Sequence, residues 1–200
     1  MLRLVLVMLA LAAPAAFAAN TVLVFGDSLS AGFGIGVEQA WPSLLDQRLK
    51  ARGLPYAVAN ASISGETTAG GRSRLAEALD RFKPAVVVIA LGANDGLRGL
   101  PVAEMRANLL AMVGAARQRH ARVLLVGMKL PPNYGADYTA SFADAFRDVA
   151  RRAKVPLLPF LLEPIALDAS SFQADGLHPV AAAQPKILDH VWMALRPLLK

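Results

Sequence analysis

Two rhythms of apolar residues run along the chain. Short apolar runs, Val22 to Phe25, Tyr56 to Ala59, Ala85 to Leu91, Arg122 to Gly127 and Pro156 to Phe160, read as five strands. The third, Ala85-Val86-Val87-Val88-Ile89-Ala90-Leu91, contains no polar position, which suits a central parallel strand covered on both faces. Between the runs, apolar residues recur three and four apart. Trp41, Leu44, Leu45 and Leu49 mark one amphipathic helix stopped by Gly53, and a second spans roughly Gly71 to Phe82. A third runs from Pro101 to about His120 on Val102, Met105, Leu109, Met112, Val113 and Ala116. Phe142, Phe146, Val149 and Ala153 mark a fourth, and Ile187, Val191, Ala194, Leu195 and Leu198 a closing one. Strands alternating with helices at short intervals predict right-handed crossovers and an α/β fold: a parallel sheet with helices on both faces. No repeat, low-complexity segment or interdomain linker interrupts the pattern.

The polar motifs fall where strands end. Val24-Phe25 stops at Gly26-Asp27-Ser28-Leu29-Ser30, the second strand runs into Asn60 to Thr68, and the third into Gly92-Ala93-Asn94-Asp95. In an open parallel sheet these loops share the carboxyl edge, where ligands bind. Ser28, between a strand end and a helix start, is the candidate nucleophile. A phosphate-binding loop is the competing reading of Gly26 to Gly36, but no Gly-Lys-Ser/Thr ending is present, and Gly32, Gly34 and Gly36 alternate in place of G-x-G-x-x-G.

The first residues change the picture of where the chain works. Met1-Leu2-Arg3, an apolar run from Leu4 to Ala13, Pro14 and then Ala16-Phe17-Ala18 match the charged, apolar and small-residue regions of a secretory signal, with cleavage expected after Ala18. The expected organisation is therefore a signal peptide over 1–18 and one domain over 19–200, in the periplasm or outside the cell. No other stretch is apolar for the roughly 20 residues that a membrane span needs, so no stable membrane insertion is expected after cleavage. With no cysteine, the exported chain must be held by packing alone. The formal charge is +6, and it stays positive once Arg3 is lost. Its basic residues lie in scattered pairs (Arg72 and Arg74, Arg151 and Arg152) without interleaved aromatics, which argues against nucleic acid as a partner. Three separated histidines give no ligand spacing for zinc, so no metal is expected.

A serine nucleophile needs a base, a group that orients the base, and donors aimed at the developing oxyanion. His178 sits in a loop beside a carboxylate, whereas His120 lies at a helix end and His190 within the last helix. His178 is the candidate base, and Asp175, three residues earlier, the orienting acid; an ordinary helix start is the other reading of Asp175 to Pro179. Asp27 adjoins Ser28 but cannot orient a distant imidazole, so it takes a structural role in its loop. The backbone amides of Ser28 and Gly65 and the side-chain amide of Asn94 are candidate oxyanion donors, although Gly65 alone reads as a turn glycine and Asn94-Asp95 as a turn or cap. Apolar residues on the same rim, Leu97, Leu100, Leu130, Pro131, Pro132 and Tyr134, together with Ile165 and Leu167, are candidates for an acyl groove. A nucleophile elbow G-x-S-x-G of the ordinary α/β-hydrolase type is disfavoured, because Ser30 stands where its last glycine belongs and Ser28 follows the first strand.

These four blocks together resemble the SGNH, or GDSL-type, hydrolases, named for a serine, glycine, asparagine and histidine in this order. Gly26 to Ser30 looks like the first block, Gly65 the second, Gly92-Ala93-Asn94-Asp95 the third and Asp175-Gly176-Leu177-His178 the last. The segments Asn60 to Gly65, Gly92 to Gly99 and Leu130 to Gly135 are similar to the family's exported bacterial branch of thioesterases, lysophospholipases and arylesterases. Ala93 and Glu66 depart from it, where glycine and aspartate are common. The resemblance implies a three-layer αβα, flavodoxin-like fold with a five-stranded parallel sheet. It implies a cofactor-free, metal-independent serine esterase acting on small acyl esters or thioesters, lysophospholipids among them; a monomer is the expectation, although the sequence does not identify the oligomeric state. A carbohydrate O-acetylesterase and a catalytically silent lipid or carbohydrate binder are the alternatives on the same fold.

Overall fold

The structure is a computed structural model and describes residues 20–200; the expected signal peptide lies outside them. Five strands, β1 (Asn20–Gly26), β2 (Tyr56–Asn60), β3 (Val86–Ala90), β4 (Arg122–Val126) and β5 (Leu157–Leu158), form one sheet in the order β2-β1-β3-β4-β5. All pairs are parallel, with Val22 opposite Val86 and Phe25 opposite Ile89 at the centre. The helices are α1 (Ser28–Ala31), α2 (Trp41–Ala51), α3 (Thr68–Phe82), α4 (Ala93–Leu97), α5 (Val102–Gln118), α6 (Ala136–Ala153) and α7 (Gln184–Leu195).

Side chains of a strand point alternately to its two faces, so each strand feeds two cores. Val22, Val24, Val86 and Val88 pack with Trp41, Leu45 and Leu49 of α2 and Ile187, Val191 and Leu195 of α7. Leu23, Phe25, Val87 and Ile89 pack on the other face with Leu75 and Leu79 of α3, Met105 and Leu109 of α5, and Phe142 and Phe146 of α6. That is the expected three-layer arrangement. The unbroken Val86 to Ala90 run is wholly buried, as a strand covered on both sides must be. The chain leaves β1 toward β2 on one side and returns to β3 on the other. This reversal opens a crevice at the carboxyl end of β1, the place where doubly wound sheets hold ligands.

Element bounds differ from the sequence pattern in three places, each for a local reason. Helix α3 begins at Thr68, because the Thr67 side chain caps it by accepting from the Gly70 N–H, and Gly70-Gly71 hid that start. Gly71 is there for space, since a Cβ at this position would collide with Leu91. Helix α6 already starts at Ala136, well before Phe142, the first apolar residue of the expected helical stripe. Strand β5 keeps only Leu157 and Leu158 of Pro156 to Phe160, because prolines bracket them and proline has no N–H to give a ladder.

Candidate active site

The site is assembled from six chain segments at the carboxyl edge. Ser28 is the first residue beyond the β1 strand end and its capping residue, Asp27. The Asp27 carboxylate accepts from the Leu29 N–H at 3.0 Å, which starts α1 and fixes Ser28 at its first turn. Asp27 is only 1% exposed. Burial pushes its carboxyl up to about 7, against the pull of its backbone hydrogen bonds and with a small push from Asp95 and Glu66. It is a structural cap, and it faces no imidazole.

The imidazole of His178 lies between Ser28 and Asp175: Nε2 is 2.8 Å from Ser28 Oγ and Nδ1 is 2.7 Å from Asp175 Oδ2. Backbone N–H groups of His178 and Leu177 both donate to Asp175 Oδ1, at 3.0 and 2.9 Å. These two bonds, with the imidazole, hold the Asp175 carboxyl down to about 2, so it is an anion at any working pH. A carboxylate only accepts, hence Nδ1 carries the proton and Nε2 is left with a lone pair aimed at the serine hydroxyl. This is the relation a general base must have to a nucleophile. The short Asp175 to His178 turn is closed by Gln173, whose backbone N–H donates to His178 O at 2.8 Å.

Across the crevice, Gly65 lines the cavity and stands in the left-handed region at φ +78°, a conformation that a side chain would strain. Among the described residues, the N–H groups of Ser28 and Gly65 have no acceptor. The third expected donor, Asn94 on α4, lines the same cavity and gives one amide hydrogen to Glu66 O at 3.0 Å. The second hydrogen of that amide remains for a ligand. Three donors from three loops thus border the cavity beside the serine, the arrangement that stabilises a developing oxyanion.

A network that the sequence pattern did not reveal holds these donors. Arg74 of α3 donates through Nε to Glu66 at 2.6 Å and through Nη1 to Ala61 O at 2.7 Å, with its guanidinium 4.0 Å from the Phe25 ring centroid. Arg98 donates to Gly65 O at 2.9 Å. Buried Asp95 accepts from both the N–H and the hydroxyl of Thr68, at 2.8 and 2.5 Å, tying the Asn94 helix to the start of α3. Glu66 stood out only as a departure from a family pattern. Its partner Arg74, eight residues on, lies on α3, which starts only after Glu66, and carried no signal of its own.

The cavity has a volume of about 610 Å³. Ser28, Gly65, Asn94 and His178 border it, and of the expected groove residues Leu97, Leu130, Pro131 and Pro132 line it. Four others need correction. Leu100 lies past α4 and outside the lining. Tyr134 is also outside it, and its hydroxyl donates to Leu97 O at 3.1 Å, so it supports the wall from behind. Ile165 is buried in the α2 and α7 core, and the Leu167 side chain is fully exposed to solvent. In their place Phe160 and Leu162 line the cavity; they were concealed at the end of the fifth apolar run, where every residue looks like sheet interior. His190 donates through Nε2 to Phe160 O at 3.0 Å and takes no part in the cavity. Among the described residues no group of three His, Cys, Asp or Glu side chains could hold a metal ion.

Comparison with known proteins gives concordant results. Residues 24–184 match the model of the GDSL-like Lipase/Acylhydrolase family. The chain is 50% identical over 182 residues to an esterase TesA of Pseudomonas aeruginosa, covering 91% of this chain and 90% of that protein. It is 40% identical over 186 residues to thioesterase 1/protease 1/lysophospholipase L1 of Escherichia coli K12, covering 92% of this chain and 87% of that one. A crystal structure of TesA superposes with a TM-score of 0.88 at 49% identity, over 90% of this chain and all of that one.

Proposed function

The chain belongs to the GDSL-like lipase/acylhydrolase family, and from that premise we propose that it hydrolyses acyl esters and thioesters through a covalent acyl-serine on Ser28. It is a serine ester hydrolase. The observation that carries the residue assignment is the continuous chain from Ser28 Oγ through the His178 ring to an ionised Asp175, at 2.8 and 2.7 Å. As Ser28 Oγ attacks the acyl carbon, its proton passes to His178 Nε2 and the carbonyl oxygen becomes an oxyanion facing the Ser28, Gly65 and Asn94 donors. Collapse breaks the bond to the leaving oxygen or sulfur, which takes the proton from Nε2. Water then repeats the sequence on the acyl-serine and releases the acid. Asp175 keeps its charge throughout and stabilises the imidazolium.

Leu97, Leu130, Pro131, Pro132, Phe160 and Leu162 give the cavity an apolar flank, which suits an acyl chain and supports lysophospholipids among the substrates. Burial of one methylene is worth about 0.8 kcal/mol, so each added carbon raises kcat/KM by up to a few-fold until the flank is filled. A p-nitrophenyl ester series from acetyl upward tests this, with fluorophosphonate capture reporting on Ser28. A maximum at acetyl would transfer the site to the O-acetylesterase reading, and a protein that neither turns over nor is captured would be a binder. Export with processing near Ala18 is part of the same proposal, supported by the Arg3, Leu4 to Ala13 and Ala16-Phe17-Ala18 pattern. Intact mass of the protein recovered from the periplasm checks it.

A further inference from the structure

Phe33 is an aromatic side chain left 49% exposed at the mouth of the site, its ring centroid 4.4 Å from that of His178 at an interplanar angle of 36°. An apolar ring of that size in water is a cost, and here the chain holds it in place. Gln173 donates through Nε2 to Phe33 O at 2.8 Å and to Pro179 O at 3.2 Å, while its backbone N–H donates to His178 O. One glutamine therefore ties the Phe33 loop to the turn that carries the base. Gly34, next to Phe33, stands at φ +75°, and a Cβ there would run into the Gln173 side chain, so the tether dictates the glycine.

We infer that Phe33 forms a leaving-group subsite selective for flat aromatic groups, beside the His178 imidazole at the mouth of the cavity. The inference rests on the acyl-serine reading above. In that reaction the atom that departs must take its proton from His178 Nε2, so the first atoms of the leaving group lie against the imidazole whatever the acyl chain does. Phe33 borders the cavity at that imidazole, with its ring free on the solvent side. An aromatic leaving group stacked there gains contact in the transition state, when the departing atom is closest to Nε2. An aliphatic group of the same size gains only the burial of its surface.

Benzyl and cyclohexylmethyl butyrate separate these effects, since they share an acyl group, nearly share leaving-group basicity and differ in the flatness and π-character of the ring. In Phe33→Leu the ratio of kcat/KM for the benzyl ester to that for the cyclohexylmethyl ester is expected to drop by about two-fold to ten-fold relative to the natural chain, the range that aromatic pairs contribute beyond area. Phe33→Tyr is expected to keep the ratio, and Gln173→Ala, which frees the loop, to lose part of it. An equal loss on both esters in Phe33→Leu would overturn the inference and leave the ring as a support that only holds the imidazole. An unchanged ratio would overturn it too. Fluorophosphonate capture on every variant shows that Ser28 is still activated, so a failed ratio in a capturable enzyme sinks the subsite alone. A natural chain that neither captures the probe nor cleaves either ester would sink the acyl-serine reading with it.

Discussion

The two sides of the crevice are built differently. On the oxyanion side, Gly65 and Asn94 are held from within: Glu66 and Arg74 brace the loop against α3, and Asp95 clamps Thr68, both of them buried. On the base side, His178 rides on a short exposed turn closed by Asp175 and the Gln173 N–H, with a tie to the Phe33 loop through the Gln173 side chain. The difference follows from what each side must do. Donors that face a charge existing only in the transition state work best when they need no rearrangement, which demands a stiff frame. A base that receives a proton and then passes it to groups of different size needs orientation about one axis and access to solvent. Bracing from a neighbouring helix, with an ion pair in it, therefore serves the first side, and a local turn with a side-chain tether to the next loop the second.

Ser28→Ala and His178→Ala break the comparison at its hinge, since each side acts on the bond that Ser28 forms. Both are expected to lower kcat by about 10⁴-fold or more without changing the thermal midpoint appreciably. Near-natural turnover by a folded Ser28→Ala protein would remove Ser28 from the mechanism. On the oxyanion side alone, Asn94→Ala should cost on the order of 10²-fold to 10³-fold in kcat, with KM much less affected, because the donor it deletes meets full charge only in the transition state. An equal rise in KM would mean that Asn94 binds the ground state instead.

The brace behind those donors comes next. Arg74→Lys keeps a positive charge but cannot serve Glu66 and Ala61 O together, as the forked guanidinium does. We expect a fall of roughly ten-fold to 10²-fold in kcat, the size of effect that small displacements of catalytic groups produce. Glu66→Gln should fall less, because its amide oxygen still accepts from Arg74. A loss in Arg74→Lys confined to stability, with kcat intact, would show that the loop finds its geometry without the brace. On the base side the sharper test is pH. Asp175, held down to about 2, stays ionised, so it should add no step of its own to the acid limb of kcat/KM. A second inflection between pH 3 and 5 would place an ordinary carboxylate in the mechanism.

What the amino-acid pattern revealed divides along the same line. Ser28, Gly65, Asn94, Asp175 and His178 could be read because each lies in a short polar block directly behind an apolar run or in a turn, where a core residue has no reason to be. The sheet could be read because strands such as Val86 to Ala90 leave no polar position. The brace was hidden: Arg74 sits on an amphipathic helix among Arg72, Glu77 and Asp80, and no local feature separates it from solvated charges. Phe160 and Leu162 were hidden for the opposite reason, being apolar residues in an apolar run. Tyr134 was misplaced because sequence fixes the loop a residue occupies and leaves open which way its ring turns.

The smallest expected effect on rate, and the one best read as stability, belongs to Asp27, which lies beneath the hinge between the two sides. Its carboxyl is raised to about 7 by burial, whereas in the unfolded chain it titrates near 3.8. Between those values the folded state binds the proton and the unfolded state does not. Stability from this group is therefore complete below about pH 4 and declines as pH rises to about 7, by on the order of a few kcal/mol, then stays level. Asp175 and Asp168, whose hydrogen bonds hold them low, act with the opposite sign and below pH 4, so the windows do not overlap. Asp27→Asn retains an oxygen to accept from the Leu29 N–H and hence the cap, but removes the charge. The variant should gain stability over the natural chain progressively from pH 4 to 7 and hold a constant advantage above it. Denaturant midpoints at half-unit steps of pH measure this, and a difference that does not change with pH would mean that Asp27 ionises in the folded protein as it does in water.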